Sequence, residues 1–130
     1  MTRPVIMGLN LDEVEWEPAE NVWDETGVAL PGGLEIKILS VDDETGASTI
    51  LVKAPPGWET EAPELHSVLQ EGYVVEGTYY NGEVELHAPA YFCLPPGTPH
   101  GPARSDGHIV LSMLSGPLDI TYLSNNSPET

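Results

Sequence analysis

The chain of 130 residues carries 21 acidic residues against 4 Lys and Arg, which gives a formal net charge of -17. This length suits one domain, and the charge repels polyanions and anionic lipid surfaces, so we expect no nucleic-acid or membrane partner. The lone Cys93 excludes an internal disulfide. The sequence does not have the basic start and following apolar run of a secretory signal, so we expect a cytoplasmic protein.

The first third of the chain predicts short strands and then a hairpin. Brief apolar pieces at 13–16 and 28–30 are typical of short or edge strands. Residues 34–41 alternate apolar and polar side chains, the polar run at 42–46 provides turn residues, and 48–53 is rich in β-branched residues. We therefore predict a β-hairpin over 34–53.

A second hairpin is predicted around Asn81-Gly82, a pair that readily takes the positive φ angles of a tight turn. Its strands are 74–80 and 83–87. Three later apolar stretches also predict strands, at 91–94, 107–114 and 118–123. The polar tail at 124–130 is predicted to be frayed.

These patterns predict an all-β chain. No segment longer than about ten residues has a helical period free of Pro and Gly, and turn signals recur about every 8–12 residues. We expect one domain over 1–130, a sandwich or small barrel with its core at about 16–122 and lead-in strands at 13–54.

Four polar side chains form the most informative pattern. Glu64, His66 and Gln70 are separated by two and four residues, so an unbroken strand would point all three to one face, whereas a bulge near Val68 would redirect Gln70 alone. His100 ends a Pro-Gly turn that begins at Pro95 and would reach them from another strand. Two imidazoles and one carboxylate make the ligand set that leaves open positions on Fe(II), so these residues predict a mononuclear metal site.

The same residues carry a family resemblance. Cupins have a first motif of form G-x5-H-x-H-x3-4-E-x6-G and a second of form G-x5-P-x-G-x2-H-x3-N. Here Glu64, His66, Gln70 and Gly77 follow the first, and the 95–100 turn followed by Arg104 follows the second. The chain resembles the small single-domain cupins of the ChrR-type and acetylacetone-dioxygenase-like group, which implies a double-stranded β-helix, or jelly-roll barrel.

The resemblance also implies the metal ligands, although three positions depart from the motifs. Glu64 stands where cupins have the first histidine, Gln70 stands where they have glutamate, and Arg104 replaces asparagine. The implied ligands of a divalent ion are Glu64, His66, Gln70 and His100, with Glu71 as the alternative to Gln70. Fe(II) is the expected ion, with Mn, Ni, Cu and Zn as alternatives.

The implied activity is a dioxygenase that splits a C–C bond in a small enolisable dicarbonyl or aromatic ketone. Three residues are proposed as catalytic: His108 could move a proton, Arg104 could orient an anionic or enolate oxygen, and Glu71 could act as a base. A metal-dependent isomerase, lyase or cyclase is the alternative among enzymes, and a non-catalytic sensor of small molecules or metals is the alternative outside them. The resemblance further implies a homodimer.

Overall fold

The computed structural model describes residues 3–23 and 32–123, so the predicted strand at 28–30 and the tail at 124–130 lie outside the described residues. The N-terminal part has a 3₁₀ helix (Leu11–Glu13), a short strand β1 (Glu17–Pro18) and one helical turn α1 (Glu20–Trp23). The strand predicted at 13–16 is therefore wrong. The amide of Glu13 donates to the Asn10 carbonyl at 2.9 Å, which closes a helical turn, and strand pairing starts only at Glu17.

Most of the remaining described residues form β-strands, in agreement with the all-β prediction. Their bounds are β2 (Glu35–Val41), β3 (Ser48–Glu59), β4 (Glu64–Leu65), β5 (Gln70–Asn81), β6 (Val84–His87), β7 (Ala90–Leu94), β8 (Ala103–Leu114) and β9 (Thr121–Tyr122). A seven-stranded antiparallel sheet runs in the order β1-β2-β3-β8-β5-β6, with β7 also paired to β5, and β4 pairs with β9 in a separate small sheet.

The first predicted hairpin is confirmed as β2 and β3. Its turn is closed by the amide of Gly46, which donates to the Asp42 carbonyl at 2.7 Å. The Asp42 carboxylate also accepts the amide of Glu44 at 2.9 Å, and this bond holds the pKa of Asp42 below its usual value. A short acidic side chain that bonds to its own turn is the reason such residues favour turns.

The second hairpin is confirmed as β5 and β6, but its turn lies one residue later than predicted. Asn81 pairs with Val84, so the turn residues are Gly82 and Glu83, and Gly82 alone takes a positive φ, of 60°. Asn81 instead uses its side-chain oxygen to accept the amide of Gly101 at 2.6 Å. That contact ties the hairpin to the segment that carries His100.

Alternation along the long strands creates the interior. On β8 the buried side chains are Ser105, His108, Val110, Ser112 and Leu114, and Gly107 lies where the register with β5 shifts. On the same face of the sheet lie buried apolar residues of β2, β3 and β5, namely Ile36, Ile50, Ala54 and Val74. No helix within the described ranges is long and apolar enough to cross a membrane.

The strand predicted at 118–123 exists only as β9. Before it, Leu118 and Ile120 line an internal cavity, and the side chain of Asp119 accepts the amide of Ser67 at 2.8 Å. Residues 118–120 therefore form part of the cavity wall and do not belong to a strand.

Candidate metal centre

Glu64 and His100 are brought together by backbone pairing. The two residues form an antiparallel bridge in which the Glu64 amide donates to the His100 carbonyl at 2.8 Å and the His100 amide donates to the Glu64 carbonyl at 2.9 Å. Directly opposed residues of antiparallel segments project to the same side. The bridge therefore places the carboxylate and the imidazole next to each other.

The Pro-Gly turn positions His66 against this pair. The amide of Gly97 donates to the His66 carbonyl at 2.8 Å, and Gly97 has a φ of 79°, which favours glycine. The hydroxyl of Thr98 closes the turn by donating to the Pro95 carbonyl at 2.7 Å. A local turn thus sets the distance between the two histidine-bearing segments.

Three donor atoms converge. The Glu64 Oε2 lies 3.4 Å from the His66 Nε2 and 3.6 Å from the His100 Nε2, and the ligand atoms of all three residues lie within 4.8 Å of one another. The side chains of both histidines are almost fully buried, at 5% and 8% exposure. Two ligands that are each about 2.1 Å from one ion lie about 3.0–3.5 Å apart, so the two distances from Glu64 are close to those around a divalent metal.

The second ring nitrogen of each histidine is occupied by a backbone carbonyl. The Nδ1 of His66 lies 2.7 Å from the Asp119 carbonyl, and the Nδ1 of His100 lies 3.1 Å from the Thr98 carbonyl. A carbonyl only accepts hydrogen bonds, so each contact holds the proton on Nδ1 and leaves the Nε2 lone pair free to bind a metal. The donor set therefore fits the ion that the motifs imply.

Two carboxylates support the pair of histidines electrostatically. Burial lowers the pKa of His100, but the hydrogen bond with Glu64, the Thr98 carbonyl and the Glu64 charge together raise it above its usual value. The amide and hydroxyl of Ser67 hold the pKa of Asp119 below its usual value. Asp119 was missed by the sequence reasoning, because the backbone carbonyl it offers to His66 carries no side-chain signal.

Gln70 also faces the interior, but not by the predicted route. Glu64 begins the two-residue strand β4, the chain bends after His66, and Gln70 begins β5, so the three residues do not lie on one unbroken strand. Gln70 lines the cavity and its amide nitrogen donates to the Ser112 hydroxyl at 3.2 Å. That bond leaves its amide oxygen as the atom that could face an ion, and ligation by Gln70 stays a prediction.

Glu71 and Arg104, both predicted to be catalytic, do not line the cavity. Glu71 follows Gln70 by one residue and so lies on the opposite face of β5, where it accepts the Tyr91 hydroxyl. The Arg104 guanidinium stacks 3.8 Å above the Tyr80 ring on the exposed face of β8. The roles predicted for these two residues do not fit their places in the structure.

His108, the third predicted catalytic residue, is a cavity residue. Its ring is 6% exposed and packs on the Tyr79 ring with centroids 4.8 Å apart. Burial lowers the pKa of His108 to about 4, although a hydrogen bond with the Thr78 backbone acts in the opposite direction. The ring is therefore neutral at pH 7. Its Nδ1 is buried and has no hydrogen-bond partner among the described residues, a condition that costs about 1–3 kcal/mol.

The cavity beside Glu64, His66 and His100 has a volume of about 140 Å³. Its walls are mainly apolar and include Leu34, Ile36, Ile50, Val52, Phe92 and Val110. Tyr79 joins the polar residues at the ligand end, and burial together with the Glu64 charge raises the pKa of its hydroxyl, which therefore keeps its proton. From sequence, the aromatic residues predict core packing with a few of them walling an apolar pocket, but the pattern does not single out Tyr79 and Phe92.

All four Lys and Arg of the sequence lie within the described ranges, and none lines the cavity. Their contacts are Arg3 with Ser40 and Thr49, Lys37 and Lys53 with the Trp16 ring, and Arg104 with the Tyr80 ring. The ionisable side chains that line the cavity are therefore those of Glu64, His66, His100, Tyr79 and His108.

We expect His108 to make folding pH-dependent in a defined window. Its pKa is about 4 in the folded chain and about 6.5 in the unfolded chain, so between these values the unfolded state binds the extra proton. Its contribution to stability is present above pH 6.5 and is lost as the pH falls towards 4. His108→Phe cannot take up that proton, so its free energy of unfolding should fall less steeply over this range in urea titrations.

The matched control is His87→Phe, because the His87 side chain is exposed and does not line the cavity. It should keep the wild-type slope between pH 4 and 6.5. Equal slopes for the wild type and His108→Phe would show that the buried ring is not the source of this pH dependence.

Comparisons with known proteins agree with the fold described above. The family model of the ChrR cupin-like domain matches residues 10–119. Among curated protein sequences no significant match was found.

Solved structures with the same fold include several cupins. An RmlC-like cupin protein from Ralstonia eutropha has a TM-score of 0.70 at 20% identity, covering 92% of this chain and 73% of its own. The acetylacetone dioxygenase from Acinetobacter johnsonii has a TM-score of 0.67 at 18% identity, with coverages of 95% and 80%. The polyketide cyclase RemF from Streptomyces resistomycificus has a TM-score of 0.64 at 19% identity, with coverages of 94% and 89%. At these identities the similarity establishes a shared fold.

Proposed function

This chain belongs to the ChrR cupin-like family, and we propose that it is a metal-dependent enzyme whose ion is held by Glu64, His66 and His100. The reaction we propose is a dioxygenase cleavage of a C–C bond in a small enolisable dicarbonyl or aromatic ketone. The observation that carries the proposal is the convergence of one carboxylate oxygen and two Nε2 atoms at the end of an apolar cavity. The acetylacetone dioxygenase from Acinetobacter johnsonii, which shares this fold, supports the reaction class.

A divalent ion bound by this set would act as a Lewis acid for substrate oxygens, and a redox-active ion such as Fe(II) would also exchange electrons with dioxygen. The chain supplies the rest. The carbonyls of Asp119 and Thr98 fix the orientation of the two imidazoles, so the ligands are arranged before substrate arrives. The apolar walls lower the polarity around the reacting end, which strengthens electrostatic interactions there.

A metal-dependent isomerase or cyclase is the second candidate. It is favoured by one observation, the neutral imidazole of His108 in the cavity wall, which could exchange a proton with a bound enolate. The polyketide cyclase RemF shares the fold and supports this alternative. Oxygen uptake separates the two reactions.

The proposed activity is tested with Fe(II)-loaded protein and 2,4-pentanedione in an oxygen electrode. We expect oxygen uptake coupled to loss of the diketone, and we expect Glu64→Gln to lower kcat/KM at least about tenfold, because an uncharged amide is a poorer ligand of the same shape. His87→Gln, a change on the exposed face of β6, should retain full activity.

Consumption of an enolisable ketone without oxygen uptake would favour the isomerase or cyclase. Absence of any turnover in a metal-loaded preparation, with this diketone and with aromatic ketones, would leave a metal-binding module without catalysis. Either result would overturn the dioxygenase assignment.

A further inference from the structure

The size of the cavity limits what can enter it. Its volume is about 140 Å³, close to the roughly 150 Å³ of an apolar protein cavity that binds benzene. The walls away from the ligands are built from aliphatic side chains and Phe92. These dimensions and surfaces suit a molecule with one ring or a short branched chain.

The charge of the cavity limits its occupant further. Every Lys and Arg of the chain is engaged elsewhere, so no cationic side chain faces the cavity. A carboxylate or phosphate placed against the walls away from the proposed ion would face apolar side chains that cannot replace its hydration, and it would find no cationic side chain to pair with. An uncharged molecule does not meet this obstacle.

One residue of the cavity wall has a buried polar atom without a partner. Gln70 and Ser112 already bond to each other, whereas the buried Nδ1 of His108 bonds to no described residue. Buried polar atoms are nearly always paired, so an unpaired one on a residue that lines a cavity points to a polar group of a ligand as its partner. A hydroxyl suits this atom in either imidazole tautomer, because it both donates and accepts hydrogen bonds.

We propose that the cavity selects an uncharged, mainly apolar molecule of about one ring that carries a hydroxyl group, and that His108 is the residue that binds this hydroxyl. The inference rests on the proposed function, since it names the class of molecule brought to Glu64, His66 and His100. His108 thereby becomes the specificity-determining residue of the site, paired with a ligand group that the metal ligands do not contact.

The test measures binding by isothermal titration calorimetry at pH 7 to chelator-treated full-length protein, with three matched probes. These are acetophenone, 3-hydroxyacetophenone and benzoate, and the meta hydroxyl prevents chelation of any residual ion by both oxygens. The wild type should bind 3-hydroxyacetophenone about three- to tenfold more tightly than acetophenone, the gain of one added hydrogen bond. Benzoate should bind at least about tenfold more weakly than acetophenone.

The decisive variant is His108→Phe, which keeps an aromatic ring against Tyr79 but has no polar atom. It should bind the two ketones with equal affinity, whereas His87→Phe should retain the wild-type preference. The proposal is overturned if the preference survives in His108→Phe, if benzoate binds as tightly as acetophenone, or if neither ketone binds at millimolar concentration.

Metal content is measured on untreated samples of the same preparations. A chain that selects the hydroxylated ketone but holds no metal would contradict the proposed function and leave the assignment of His108 intact. A chain that holds the metal but does not prefer the hydroxylated ketone would contradict the assignment of His108 and leave the proposed function intact.

Discussion

His66→Ala and His100→Ala are expected to lose the bound divalent ion almost completely. Each removes an Nε2 that lies within 3.6 Å of the Glu64 carboxylate. Loss of a group that only orients a metal ligand costs about 10–100-fold in affinity, so loss of a ligand itself should cost at least about 100-fold. The measurement is elemental analysis of protein purified without chelators, followed by competition with a chelator of known affinity.

Two further variants keep this prediction interpretable. His66 is buried, so its alanine variant leaves a hole, whereas His66→Asn retains a donor that can reach the Asp119 carbonyl but lacks the ligand nitrogen. His87→Ala removes an exposed histidine and should retain the full metal content. Folded His66→Asn or His100→Ala protein with wild-type metal content would show that the ion is held elsewhere.

Gly72→Ala is expected to destabilise the fold and to shrink the cavity. Gly72 is buried on β5 opposite Phe92 of β7, and a Cβ there would overlap the Phe92 ring, which lines the cavity. The added methyl group is disfavoured by this overlap and not by backbone strain, because Gly72 does not have a left-handed φ. Overpacking of this kind costs about 1–3 kcal/mol, which urea denaturation would measure. Acetophenone binding should weaken as the ring moves into the cavity, while metal content stays unchanged.

The matched control is Gly8→Ala, because a Cβ at Gly8 meets nothing within 4 Å. It should leave stability and binding unaltered. The cost of Gly72→Ala should also fall in a Phe92→Ala background, where the overlap is absent. An equal cost in both backgrounds would show that the Phe92 ring does not need the space above Gly72.

Much of the fold could be predicted from local sequence. The hairpin of β2 and β3 follows from alternation around an Asp-rich turn, and the hairpin of β5 and β6 follows from Asn81-Gly82. The inward face of β8 also follows from period two, since His108, Val110 and Ser112 are all buried. The turn of the second hairpin was misplaced by one residue because Asn81 is engaged by Gly101, a partner distant in sequence.

The candidate site was predictable in its chemistry but not in its construction. The spacing of Glu64, His66 and His100 indicated ligands, yet their convergence depends on the bridge between Glu64 and His100. Gln70 lines the cavity from a different strand from that of Glu64. The assignment of Arg104 as a site residue relied on its position after the motif, and the motif does not state which face of β8 it occupies.

The sequence by itself determined the all-β class, the two hairpins, the ligand types and the acidic charge, because each depends on neighbouring residues or on composition. Tertiary structure alone decided which polar side chains meet, that Glu71 and Arg104 face outward, and that His108 has an unpaired nitrogen in the cavity wall. The physical reason is strand register. A shift of one residue reverses every side chain, and that register is set by pairing between segments far apart in the chain.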